Sequence, residues 1–84
     1  MKFTSDRPFA DPAGAARKLL DIVRGSIAQN GLRYAYAGAT NTAFTRAGGS
    51  IEEYSVGMKH AAAQKWFEVD TSGTRIVLLA DGAE

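Results

Sequence analysis

The large apolar residues fall into two stretches with a helical period, each followed by short alternating segments. Ala16, Leu19, Leu20, Val23 and Ile27 stand at i, i+3, i+4, i+7 and i+11, one stripe along a helix. Asp11-Pro12 opens that helix, since Asp favours the N-cap and Pro is pre-organised for the first helical position. Asn30-Gly31 closes it, so the first helix is expected over residues 12–29. Leu32 to Tyr36 alternates large apolar with small or polar residues, as a half-buried strand does. Gly38 to Thr42 reads as a turn, and Ala43 to Arg46 as a weak returning strand, with a short helix as the competing assignment for residues 38–49.

After Gly48-Gly49, Ser50-Ile51-Glu52-Glu53 has the spacing of a capping box. Ile51, Tyr54, Met58, Ala62 and Trp66 then form a second stripe, which predicts a helix over 51–66 with that stripe inward. Phe67 to Asp70 and Thr74 to Leu79 read as a hairpin around Thr71-Ser72-Gly73, with Gly73 in the left-handed conformation. Residues 1–10 read as an extended lead-in and 80–84 as a polar tail. The expected fold is α+β with two helices and antiparallel hairpins, in the order α-β-(β)-α-β-β and in one domain spanning 1–84.

Composition narrows this picture. Of 84 residues, 45% are apolar, but 15 of those 38 are alanine, leaving 23 larger side chains for a core. A domain of this size buries only about 60% of the surface its unfolded chain exposes, so self-association is an ordinary way to add buried area. There is no cysteine, hence no disulfide and no thiolate metal site. Met1 to Pro8 has no apolar core of a signal peptide, and no apolar run approaches the about 20 residues needed to span a bilayer. A cytoplasmic protein is expected. The net charge of +1 is unevenly divided: +4 over residues 1–50, from seven basic and three acidic residues, and −3 over 51–84, from three basic and six acidic.

The helix running into a hairpin, Ala61-Ala62-Ala63-Gln64-Lys65-Trp66-Phe67-Glu68-Val69 followed by Thr71-Ser72-Gly73-Thr74, Ile76-Val77-Leu78 and Gly82-Ala83-Glu84, resembles the end of a winged-helix domain. Leu79-Ala80 stands where many such domains have Thr-Pro. The resemblance implies a recognition helix over 51–66, a wing formed by the hairpin, and nucleic acid as a ligand class. The family places a compact helix–turn–helix before its recognition helix, and here the Gly- and Thr-rich stretch Gly38 to Gly49 takes that place. The lead from Lys2 to Pro12 also resembles the start of a set of short bacterial proteins of unknown function, which implies no activity and no functional residue.

Candidate chemistry is sparse. His60 is the only histidine, and Glu53, seven residues away, lies beyond the i±3 and i±4 neighbours with which it could share a proton. No catalytic residue is assigned, and no enzyme is expected. No acidic cluster has the spacing of metal ligands, and Gly48-Gly49-Ser50 lacks the features of a phosphate loop, so neither metal nor cofactor is assigned. On the helix over 51–66 the outward face is expected to carry Glu52, Glu53, Val56, Lys59, His60, Ala63 and Gln64, which is weakly basic for a nucleic-acid reader. Arg17, Lys18, Arg24, Lys59 and Arg75 are the candidate nucleic-acid contacts. Val56, Ala63, Phe67, Ile76 and Leu78 are the candidate protein interface, because the run from Ile76 to Leu79 sends large side chains to both faces of a hairpin strand. The leading expectation is a non-catalytic interaction module binding protein or itself; the alternative is a small winged-helix nucleic-acid-binding protein.

Overall fold

A computed structural model describes residues 9–79. Most of the lead-in and the tail at 80–84 lie outside the described residues. The architecture is α+β, and the described residues form three helices and a three-stranded antiparallel sheet: α1 (Pro12–Asn30), β1 (Tyr34–Tyr36), α2 (Ala37–Arg46), α3 (Ile51–Ala63), β2 (Phe67–Val69) and β3 (Arg75–Leu78).

Helix α1 begins with Pro12 at its first turn, as expected, although the Asp11 side chain does not cap it. Instead, the Asp11 carbonyl accepts the Ala15 N–H at 2.9 Å. Gly31 ends the helix with φ 72° and donates to the Ile27 carbonyl. Asn30 then ties the turn into the sheet, its side chain accepting from Leu32 N at 2.7 Å and donating to Tyr34 O at 3.3 Å.

The strand expected over Ala43 to Arg46 is part of a helix, so the described residues form three helices rather than two. Its buried residues, Thr40 and Phe44, stand at i and i+4, but a threonine hides the helical period. The threonines fit because their hydroxyls bond back one turn, Thr40 to Tyr36 O at 3.0 Å and Thr45 to Asn41 O at 2.9 Å. Gly48, at φ 106°, closes α2 in a Schellman turn, with Gly48 N bonded to Thr45 O and Gly49 N to Phe44 O. Gly49 cannot carry a side chain, since a Cβ there would overlap the Phe44 ring.

Helix α3 starts with the full capping box: Glu53 N donates to Ser50 Oγ at 3.1 Å and Ser50 N to Glu53 Oε1 at 3.0 Å. It ends at Ala63 rather than at 66. Lys65 takes the left-handed conformation at φ 62°, with Lys65 N bonded to Ala62 O and Trp66 N to Ala61 O. This is again a Schellman turn, without the glycine that makes such turns visible in a sequence. The buried line of α3 is Glu53, Gly57 and Ala61, with Tyr54 and Met58 beside it. Ile51, expected inward, is 80% exposed, and Ala62 is exposed too. The helix is turned because α1 and α3 approach through small residues. A Cβ on Gly57 would lie 2.9 Å from Ala15 Cβ and 3.1 Å from the Ala15 backbone carbon.

The strand order is β1-β3-β2, both pairs antiparallel. β3 is therefore central, not a half-covered edge: Ile76 pairs with Ala35 on one side and Val69 on the other. Alternation along the strands sends Ala35, Ile76, Phe67 and Leu78 to one face and Tyr34, Tyr36, Arg75 and Val77 to the other. The first face meets Leu19, Leu20 and Val23 of α1 and Phe44 of α2 in the core. The hairpin loop places Gly73 at φ 75°, as the sequence predicts. No helix among the described residues is long and apolar enough to cross a membrane.

Candidate interaction surface

The turn of α3 decides what the domain presents. Its outward face carries Ile51, Glu52, Ser55, Val56, Lys59, Ala62 and Ala63, all exposed. Val56 is 45% exposed, and Ile51 stands clear of the core altogether. Beside this face, Phe9, Ala10, Glu52, Glu53 and Val56 line a groove of about 260 Å³. Phe9 is held there by its ring contact with Phe44, at 4.9 Å between centroids. Glu53, expected outward, is buried and bound in the capping box, so Glu52 is the acid this face displays.

The candidate cations are held apart. Lys59 is exposed on α3. Arg17 leaves α1 to lie over the Trp66 ring, 5.3 Å from its centroid. His60, expected outward, is half-buried, its ring centroid 6.4 Å from that of Trp66. Lys18 and Arg24 are half-buried along α1. Arg75 lies over the Tyr34 ring at 5.1 Å on the outer face of the sheet. Such contacts contribute about 0.5–1 kcal/mol at exposed sites and leave the cations partly committed within the domain.

Of the residues expected at a protein interface, Val56 and Ala63 are exposed together on α3. Phe67 and Ile76 are wholly buried in the core, and Leu78 is packed against it in part. In the sequence the apolar run of β3 reads the same whether its second edge is paired by another chain or, as here, by β1, and whether its inner face meets a partner or, as here, the core residues of α1. In comparisons with known proteins, no family model, no curated protein and no solved structure matches this chain.

Two further features were not legible as sites. Tyr34 and Tyr36 meet edge to face at 5.4 Å on the outer side of the sheet. A hydrogen bond with the Tyr34 side chain holds the Tyr36 phenol in its neutral form and raises its pKa above the ordinary tyrosine value. Tyr36 also borders an open groove of about 450 Å³ with Ser26, Gln29, Asn30 and Ala39. The hairpin tip is organised by Asp70, whose Oδ1 accepts from Ser72 Oγ at 2.8 Å, Thr74 N at 3.1 Å and Arg75 N at 3.2 Å. Among the described residues, no three His, Asp or Glu side chains gather as a metal ion would require.

Proposed function

We propose that this chain is a non-catalytic, winged-helix-like interaction domain of the cytoplasm whose α3 outward face binds protein. The observation that carries the reading is the composition of that face. Lys59 is its single cation, Glu52 opposes it in charge, and Ile51 and Val56 flank them as exposed large apolar groups. A helix that reads bases needs donors for base edges and cations for phosphates, and phosphate contacts supply much of the affinity. Exposed apolar groups beside a few charges suit a protein partner, for which a central apolar anchor dominates the energy. The winged-helix likeness is supported by the order α1-β1-α2-α3-β2-β3, by α2 turning into α3, and by a hairpin whose inner strand pairs with β1.

One observation favours a second reading, nucleic-acid binding: α2, the turn at residues 47–50 and α3 stand in the order that winged-helix domains use to present a recognition helix. On that reading Lys59 contacts the duplex directly, and Arg17, Lys18, Arg24 and Arg75 supply phosphate contacts from α1 and the sheet.

A photo-crosslinking residue placed at position 56, and separately at the exposed α1 position 21, tests the first reading in the cell that makes the protein. A discrete protein adduct from position 56 and none from 21 is the expected result. Equal labelling from both, or none from 56, contradicts it.

A further inference from the structure

Helix α3 carries its exposed charges and small residues in pairs seven apart: Glu52 with Lys59, Ser55 with Ala62, and Val56 with Ala63. Seven residues miss two full turns by only about 20°, so each pair forms a column along one face. The Glu52–Lys59 column runs between an Ile51–Ser55–Ala62 flank and a Val56–Ala63 flank. Glu52 and Lys59 are about 10 Å apart along the axis, too far to pair with each other. The positions one turn from either of them, Gly48, Gly49, Ser55, Val56, Ala62 and Ala63, carry no charge. This face therefore presents an acid and a base at equal distances on either side of a midpoint between Ser55 and Val56.

We propose that the occupant of this face is a second copy of the chain, bound by antiparallel packing of α3 on α3 about a two-fold axis beside Ser55 and Val56. The inference rests on the reading of this face as a protein-contact surface and names its partner. Two-fold symmetry makes the contact isologous, so each residue meets its counterpart across the midpoint. Glu52 of each copy meets Lys59 of the other, and the two charge pairs form together. The Val56 side chains meet near the axis, beside the groove bordered by Phe9, while Ser55 is small enough to let the helices approach. Parallel packing is disfavoured by the same residues, since it sets Glu52 against Glu52 and Lys59 against Lys59.

The size of the face sets the strength. The 13 residues of α3 make a helix about 20 Å long. A side-by-side contact of that length is expected to bury less than the about 1,200 Å² of a stable interface, in the class of weak and transient encounters, so association is sought from about 10 μM upward.

Sedimentation equilibrium from about 10 μM to about 1 mM at low salt covers that range, with the variants E52K, K59E and the double variant E52K/K59E. All replaced positions are exposed, and circular dichroism establishes that each variant is folded. The wild type is expected to approach the mass of two chains. Each single variant turns two attractive contacts into two repulsive ones and should weaken association roughly tenfold or more, while the double variant should recover to within about threefold of wild type. A wild type with the mass of one chain at the highest concentration overturns the proposal. So does a double variant that associates no better than the singles. If the wild type is monomeric while position 56 crosslinks to a different protein, the self-pairing fails and the protein-contact reading stands.

Discussion

Gly57 gives the sharpest test of how the domain is assembled. It lies on the buried line of α3 where that helix crosses α1, and a glycine in a helix interior ordinarily costs about 1 kcal/mol relative to alanine. Gly57→Ala should therefore stabilise an isolated helix by that amount. In the folded domain the new Cβ would stand 2.9 Å from Ala15 Cβ, 2.9 Å from Leu19 Cδ1 and 3.1 Å from the Ala15 backbone carbon. Leu19 has rotamer freedom to yield, but Ala15 does not, so α1 and α3 must move apart. Overpacking of this kind costs about 1–3 kcal/mol, and subtracting the helical gain leaves a net loss of about 0–2 kcal/mol, with no net gain. For a domain of this size each kcal/mol lowers Tm by about 4–8 °C. Gly25 is the internal control: it sits in α1 with nothing within 4 Å of the added Cβ, so Gly25→Ala should gain about 0.5–1 kcal/mol. Urea unfolding followed by Trp66 fluorescence measures both. If Gly57→Ala stabilises the domain as Gly25→Ala does, α1 and α3 do not cross at Gly57 and the outward face of α3 is not the one described.

Lys65 and Asp70 yield two further expectations. Lys65 holds a left-handed conformation that disfavours a side chain, so Lys65→Gly should gain about 0.5–1 kcal/mol in the same assay, whereas a loss would show that the end of α3 is not the Schellman turn described here. Hydrogen bonds from the Ser72 hydroxyl and the Arg75 amide lower the Asp70 pKa below its ordinary value of 3.8. A depressed carboxyl pKa stabilises the fold when ionised, so this contribution is complete above about pH 4 and is lost as pH falls through the lowered value. Asp70→Asn should abolish that part of the acid-dependent decline, seen as loss of the hairpin's amide shift changes between neutral and acid pH; an unchanged acid profile would remove Asp70 from the account.

The parts of the fold that were legible share one property: a chemical signal local in sequence. Pro12, the capping box of Ser50 and Glu53, and Gly73 each fix a backbone geometry within a few residues, and each stands where the sequence places it. The parts that were not legible depend on distant partners. α2 has one large buried apolar residue, Phe44, and its other inward position is Thr40, whose hydroxyl is satisfied by the helix itself. The large residues of α3 suggest one inward face, but the face that packs is set by Gly57 fitting against Ala15, with Ala61 buried on the same line. A periodicity weighted by size gives the wrong face when close approach matters more than apolar area. The candidate surface moved with it: Ile51 is outside the core, Glu53 is buried, and Phe67 and Ile76 lie in the core with Leu19, Leu20 and Val23 of α1. Val56, Lys59 and Ala63 kept their outward positions on either assignment.

On the proposed function, the outward face of α3 meets protein rather than nucleic acid. A two-dimensional amide NMR titration with short random duplex DNA, at low and moderate salt, tests it most directly. At moderate salt the amides of Ile51, Val56, Lys59 and Ala63, and those of the hairpin from Asp70 to Arg75, should stay where they are as DNA is added. Shifts confined to α3 and the hairpin, strong at low salt and fading as counterions compete, would contradict it and assign that face to phosphate and base contacts.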